Sequence, residues 1–148
     1  MTTTHTDPID AVINDLDPEV GATVRGFLAT VAAGRGGELS SLYADDATAD
    51  CTVPNWRFAV NGGVNIGRQY ATWYADPAEF AELEVRMTPT GVVLTFLITW
   101  EEHGVPHAAH HCHVLDLGPG GIIRDIVFCG GRWSAALLAQ MEEAARGH

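Results

Sequence analysis

Histidines cluster in one short segment of the chain. Five of the seven lie between residues 103 and 113. If this segment is a strand, alternate side chains share a face, so His111 and His113 lie on the same face as Leu115 and Leu117. The two leucines indicate that this face points inward. Because an imidazole can take or give a proton near neutral pH, His111 and His113 are the first candidates for acid–base catalysis.

The same histidines have two other interpretations. They could be half-exposed residues on a sheet face through which two copies form a dimer. They could also bind a metal, but a His-x-His pattern supplies only two ligands, and the nearby cysteines and carboxylates are not spaced as in a recognised site. We therefore expect no metal, and no pattern in the sequence implies an organic cofactor.

Asp50 and Cys51 form a second candidate pair, in a run at residues 47–53 that looks extended. A desolvated aspartate has a raised pKa, so Asp50 is a candidate base or orienting carboxylate. Cys51 would need a basic neighbour or a helix N-terminus to become a nucleophile, and the sequence shows neither. The alternatives are a solvated carboxylate for Asp50 and a small core residue for Cys51.

Aromatic residues are numerous enough to line an apolar pocket. Such a pocket would suit an aromatic or polycyclic ligand, although the same residues could also fill the core. The expected substrate-contacting residues are Trp56, Trp100, Tyr74, Phe96, Cys51 and Phe128.

Composition excludes several classes of function. The chain has 19 acidic residues and only eight basic ones, all of them arginine, so the net charge is -11. An acidic surface repels the phosphates of nucleic acids and anionic lipids. A chain without lysine cannot form a Schiff base. We therefore expect no nucleic-acid or membrane partner, and a small hydrophobic organic molecule as the ligand.

Length and cysteine content indicate a single domain in a reducing compartment. A chain of 148 residues can bury a sizeable core without disulfides. Its three cysteines are an odd number and lack CxxC spacing, which argues against a disulfide framework or a zinc cluster. The chain begins without the features of a signal peptide and has no apolar run of roughly 18 residues, so we expect a cytoplasmic protein.

Hydrophobic spacing predicts helices first and strands afterwards. Residues 1–16 read as a lead-in that contains a short helix, and residues 17–148 as a single domain. From about Leu83 the pattern alternates, and short connections between the strands favour antiparallel neighbours. The predicted fold class is α+β: a cone-shaped, strongly curved antiparallel sheet with the N-terminal helices packed on its concave face. The expected elements are helices at 8–16, 18–33, 39–43, 67–75 and after Ser134, and strands at 47–53, 57–60, 83–87, 92–101, 108–117 and 122–129.

The order of these elements, together with residues 42–48 (Leu-Tyr-Ala-Asp-Asp-Ala-Thr), resembles the nuclear transport factor 2-like superfamily. This superfamily includes steroid Δ-isomerase, SnoaL-like polyketide cyclases, limonene epoxide hydrolase and scytalone dehydratase. Residues 65–68 and 120–123 are similar to its third helix and to its turn into the last strand, and the resemblance covers roughly residues 18–145. It implies a pocket between sheet and helices and a homodimer formed through the sheet.

At the positions where these enzymes have catalytic aspartates, this chain has other residues. The general base of the isomerase corresponds to Cys51, and a one-residue offset sends Asp50 to the opposite face unless a bulge intervenes. The aspartate of the hydrolase corresponds to the apolar residues 126–128, and Asp125 has the opposite parity from Phe128. Scytalone dehydratase uses pocket histidines for acid–base elimination, which offers an analogy for His111 and His113.

Two functions therefore remain open. The first is an enzyme that uses general acid–base catalysis on a hydrophobic organic substrate, of the cyclase, dehydratase or isomerase type, with a place in natural-product biosynthesis. The second is a non-catalytic ligand-binding or dimeric interaction module of the same fold.

Overall fold

The computed structural model describes residues 7–147, so residues 1–6 of the predicted lead-in lie outside the described residues. Helices and a hairpin come first, and four long strands follow. The elements are α1 (Pro8–Ile13), α2 (Pro18–Ala32), a 3-10 helix (Gly36–Leu42), β1 (Tyr43–Val53), β2 (Trp56–Asn61), α3 (Gly63–Trp73), β3 (Glu79–Met87), β4 (Gly91–Glu102), β5 (Val105–Gly118), β6 (Gly121–Ser134) and α4 (Ala135–Arg146).

The six strands form one open sheet in the order β2-β1-β6-β5-β4-β3. Neighbouring strands are antiparallel except β1 and β6, which run parallel. The sheet is therefore mixed rather than wholly antiparallel, because the last strand of the chain returns to lie beside the first. The predicted α+β class, with helices packed on one side of the sheet, is confirmed.

The helix ends follow the sequence signals. Asp7 caps α1, where its Oδ1 accepts a hydrogen bond from the backbone N of Ile9 at 2.9 Å. Ser134 caps α4 in the same way and accepts from the backbone N of Leu137 at 3.3 Å. Gly34, with φ +71°, follows the end of α2. None of the helices between residues 7 and 147 is long and apolar enough to cross a membrane.

The core lies between the helices and the inner face of the sheet. Strand β5 contributes Ala109, His111, His113 and Leu115 to this face, all of them buried. The predicted alternation of β5 is thus correct, and both histidines point inward, with 2% and 0% of their surface exposed.

A β-bulge in β6 changes which of its residues point inward. Asp116 of β5 pairs with Arg124 while Leu117 pairs with Ile122, so β6 carries one extra residue, Ile123. Beyond the bulge, Asp125 is fully buried, and Arg124 is exposed. Strict alternation from Ile122 would turn Arg124 inward, and the extra residue of the bulge turns it outward instead.

Candidate active site

A cavity of about 430 Å³ opens between α3 and the inner face of the sheet. Its walls are mostly apolar and aromatic, as in many sites for small organic ligands. Tyr74, His111 and Cys129 supply the polar atoms of the buried part, and Arg132 pairs with Glu102 near the exposed rim. The apolar lining comprises Val53, Pro54, Phe58, Trp73, Ala75, Ile98, Trp100 and Ala109.

Tyr74 joins the two inward-facing histidines. Its Oη lies 2.5 Å from Nδ1 of His111 and 2.7 Å from Nε2 of His113. Tyr74 stands at the end of α3, where its backbone N donates to the carbonyl of Tyr70 at 2.9 Å. This places a phenol between two imidazoles that are neighbours on the same face of β5.

Close packing of the 3-10 helix holds the end of α3 in place. A Cβ on Gly36 would lie 2.0 Å from the carbonyl oxygen of Tyr70, so only glycine allows the two backbones to approach in this way. The backbone N of Gly36 also donates to the carbonyl of Tyr74 at 3.0 Å. The 3-10 helix therefore helps to position Tyr74.

Behind the histidines, Asp125 is the centre of a second set of hydrogen bonds. Its Oδ2 accepts from the hydroxyls of Tyr43 at 2.6 Å and Tyr70 at 2.5 Å, and it lies 2.9 Å from Nδ1 of His113. Burial, followed by the nearby charge of Asp125, raises the pKa of both phenols well above the usual value. Both tyrosines therefore stay protonated and act as donors.

The second ring nitrogen of His111 lies close to a thiol that also lines the cavity. Nε2 of His111 lies 3.0 Å from Sγ of Cys129. Burial lowers the pKa of His111 to about 3, and the neighbouring His113 and His110 add to this effect. Burial also raises the pKa of the Cys129 thiol. Near neutral pH, the site thus presents a neutral imidazole and a neutral thiol.

The structure brings some of the predicted site residues together. His111 and His113 meet through Tyr74, and Tyr74 and Trp100 line the cavity. Phe96 packs behind them, with its ring stacked on His113 at a centroid distance of 5.8 Å.

Asp50 lies elsewhere, on the outer face of the sheet. Its carboxylate accepts two hydrogen bonds from Arg57, at 2.9 and 2.6 Å, which lower the pKa of Asp50. Alternation along β1 turns Cys51 inward instead, where it is fully buried. Burial raises the pKa of Cys51 to about 12, so this thiol is packed as a neutral core group.

Two of the predicted aromatic residues also lie away from the cavity. Trp56 begins β2 directly after a turn at Asn55 and is 67% exposed. Phe128 is 51% exposed on the outer face of β6, because the bulge at Ile123 turns Asp125 and Val127 inward instead.

Sequence reasoning missed the groups that surround the two histidines. These are Tyr43, Tyr70, Asp125 and Cys129. A signal for Asp125 was present, since this carboxylate directly precedes the apolar residues 126–128 in the strand, and buried carboxylates are rare without partners. Among residues 7–147, no group of three or more His, Cys, Asp or Glu side chains is arranged to hold a metal ion.

Comparisons of sequence and of structure give different results. No family profile matches the sequence, and no curated protein matches it either. The fold is similar to that of a candidate isomerase from Bacillus subtilis, with a TM-score of 0.61 and 16% identity over 76% of this chain and 86% of that chain. A Catenulispora acidiphila protein with a ketosteroid isomerase-like fold, in complex with trimethylamine, gives a TM-score of 0.57 and 16% identity over 76% and 86%.

An NTF-2-like protein from Burkholderia xenovorans gives a TM-score of 0.50 and 18% identity over 76% of this chain and 83% of that chain. At such low identities, these similarities establish the fold and not the reaction. The chain therefore has the ketosteroid isomerase-like, nuclear transport factor 2-like fold that the order of its elements and residues 42–48 predicted.

Proposed function

We propose that this protein is an enzyme that uses general acid–base catalysis on a small, neutral, hydrophobic organic molecule. The observation that carries the proposal is the position of His111. Its imidazole is part of the wall of an apolar cavity, and Tyr74 connects it to the buried pair of His113 and Asp125. Two titratable groups so connected to one cavity are what acid–base chemistry requires.

The charges around the cavity favour a neutral substrate. His111 and Cys129 are both neutral near pH 7, because burial lowers the pKa of the first and raises that of the second. Asp125 is fully buried behind them and surrounded by donors. The charged residues of the lining are Asp76, Glu102 and Arg132, and the last two pair with each other. The end of the cavity formed by His111 and Cys129 contributes no charge, so a carboxylate or ammonium group buried at that end is unfavourable.

The polar end of the cavity suits a ligand oxygen or an acidic C–H. A thiol is a weak hydrogen-bonding group, so a ligand atom can replace Sγ of Cys129 at Nε2 of His111. Cyclisation, dehydration and double-bond isomerisation all require a proton to leave one atom of the substrate and return to another. A role in natural-product biosynthesis is the finer part of the proposal and rests on the resemblance to SnoaL-like cyclases.

Proton exchange at carbon tests the proposal without knowledge of the natural substrate. The probe is 2-tetralone, a neutral bicyclic ketone with acidic protons beside its carbonyl. In D₂O, the wild type should accelerate the loss of its α-proton NMR signal, and His111→Gln should reduce that rate by about 100-fold or more.

The matched control is His110→Gln, which replaces an exposed histidine on the other face of the same strand. Exchange in this variant should equal that of the wild type. Equal exchange in the wild type and in His111→Gln would contradict the catalytic assignment.

A second candidate is a ligand-binding module without catalysis, which a different observation favours. Within the described part of the chain, every buried side-chain nitrogen and oxygen has a hydrogen-bond partner. The histidine network could therefore be a satisfied polar core. Saturable quenching of tryptophan fluorescence by 2-tetralone, with no acceleration of exchange by the wild type, would support this module, because Trp73 and Trp100 line the cavity.

We also propose that two copies associate through the outer face of the sheet. The proposal rests on the resemblance to the superfamily, and Phe128 and Ile123, 51% and 44% exposed on this face, are apolar groups that such an interface would cover. Phe128→Glu should convert a dimer into a monomer in light scattering. A wild-type protein that is monomeric at the highest concentration measured would contradict the proposal.

A further inference from the structure

A single hydroxyl proton connects the two buried histidines. Tyr74 Oη contacts Nδ1 of His111 and Nε2 of His113. A phenol has one proton, so it donates to one imidazole and accepts from the other. Burial and the nearby Asp125 raise the pKa of Tyr74, so the proton stays on the phenol at rest. The protonation states of the two rings are therefore coupled.

Two arrangements of protons satisfy all the hydrogen bonds that run from Cys129 through His111, Tyr74 and His113 to Asp125. In the first, which we call the base form, Tyr74 donates to Nε2 of His113 and accepts from Nδ1–H of His111. Nε2 of His111 then carries a lone pair and accepts from the Cys129 thiol. His113 is neutral in this form, and its Nδ1–H donates to Asp125.

In the second arrangement, the acid form, all three hydrogen bonds are reversed in direction. Nε2–H of His113 donates to Tyr74, the hydroxyl of Tyr74 donates to Nδ1 of His111, and Nε2–H of His111 points towards Cys129 and the cavity. His113 is then an imidazolium beside the carboxylate of Asp125, with its Nδ1 2.9 Å from Oδ2. The acid form has one more proton than the base form.

We propose that Tyr74 is a proton relay: a proton that His111 takes from a ligand in the cavity is carried by Tyr74 to His113 and held there beside Asp125. This inference rests on the proposed acid–base function. Tyr74 thus acts through His111 and does not itself remove the proton from the substrate.

The step balances without a co-reactant. The X–H bond of the substrate breaks, its electron pair stays on the substrate, and its proton binds Nε2 of His111. The proton on Nδ1 of His111 passes to Tyr74 Oη, and the hydroxyl proton of Tyr74 passes to Nε2 of His113. The reverse sequence returns a proton from Nε2 of His111 to another atom of the substrate.

The surroundings of the two rings explain why the proton ends on His113. His111 is packed against Tyr74, Trp73, Phe96 and Cys129, none of which carries a negative charge at neutral pH. The ring of His113 packs against the same Tyr74 and Phe96 and forms T-shaped pairs with Phe27 and Tyr70. Of the two imidazoles, only that of His113 also contacts the buried carboxylate of Asp125. A positive charge is stabilised at His113 and not at His111.

The relay also allows His111 to act both as a base and as an acid. In the base form, its Nε2 accepts a proton, and in the acid form, the same nitrogen donates one. A neutral imidazole thus changes from base to acid by exchange of its tautomer, without ever carrying the charge itself.

Nitrogen NMR of the wild-type protein, labelled with ¹⁵N at histidine, tests the relay independently of turnover. As the pH is lowered, the His111 ring should change from the Nδ1–H to the Nε2–H tautomer without becoming charged, because the relay passes the added proton on from His111. Besides Tyr74 and His111, the titratable groups that face His113 are Asp125 and Tyr70. A His111 ring that keeps its proton on Nδ1 at every pH, or that becomes charged before it changes tautomer, would overturn the relay.

A double-mutant cycle tests the same inference in the 2-tetralone exchange assay. Tyr74→Phe and His113→Gln should each slow exchange by about 100-fold or more, and the double variant should be no slower than either single one, because each interrupts the same path. Effects that multiply would indicate two separate contributions and would contradict a shared relay.

Failure of the relay and failure of the proposed function give different results. If His111→Gln abolishes exchange but Tyr74→Phe retains wild-type exchange, the enzyme assignment stands and the relay is wrong. If the wild type does not exchange the probe, the proposed function fails, and the tautomer change in the NMR titration still decides whether the relay exists.

Discussion

Acid should destabilise this protein through His111, by an amount that follows from its burial. The ring is 2% exposed, and its pKa is lowered from 6.5 to about 3. Between those two values, the unfolded chain binds a proton at His111 and the folded chain does not, so stability falls as the pH falls. One pKa unit corresponds to about 1.4 kcal/mol, so lowering the pH from about 7.5 to about 5 should remove about 2 kcal/mol through this residue alone.

Urea unfolding across that pH range measures the effect, with the slope against urea as a check that the transition itself is unchanged. Other groups also titrate there, so the informative quantity is the difference between the wild type and His111→Gln. The variant should lose about 2 kcal/mol less than the wild type. The control His110→Gln removes an exposed histidine and should keep the wild-type pH dependence. The same loss in the wild type and in His111→Gln would show that His111 is not held neutral by burial.

Four further changes have defined outcomes. Asp125→Asn replaces the carboxylate shared by three donors with a neutral amide, whose NH2 group faces those donors in place of one oxygen, and should lower the free energy of unfolding by about 3 kcal/mol in urea titrations; an unchanged midpoint would refute the role of its hydrogen bonds. Trp100→Ala removes part of the cavity wall and should weaken 2-tetralone binding about tenfold in a calorimetric titration; equal affinity would place the ligand elsewhere. Asp50→Asn, on the outer face, should leave 2-tetralone exchange at the wild-type rate, and a clear loss would return Asp50 to the site. Gly36→Ala forces a Cβ towards the carbonyl of Tyr70 and should lower the thermal midpoint by at least about 5 °C in a melting experiment, unless the two backbones separate freely.

The sequence was informative where structure depends on local pattern. The Asp-Pro helix starts, the cap at Ser134 and the alternation of β5 follow from neighbouring residues, so they could be read correctly from the chain alone. The inward face of β5 followed from two leucines near its end, and this placed His111 and His113 in the interior.

The remainder of the site depends on contacts between distant parts of the chain. Tyr43, Tyr70 and Asp125 come from β1, α3 and β6, and no local pattern shows that they meet. The bulge at Ile123 is a second obstacle, because one extra residue reverses the inferences from alternation for the residues that follow it, Arg124 to Cys129. The parallel pairing of β1 with β6 likewise depends on the path of the whole chain.

Because the sheet is open, its edge strand is exposed to pairing with the edge strand of another copy of the chain. β3 lies at one edge, where its outer row of backbone groups has no neighbouring strand. Glu79, Glu82 and Glu84 are all exposed along this strand. Arg86 of the same strand pairs with Glu84, so repulsion between two β3 strands paired antiparallel would come mainly from Glu79 and Glu82. Part of the acidic excess of the chain therefore acts as a barrier to edge-to-edge aggregation, and it becomes weaker when the glutamates are protonated or when salt screens them.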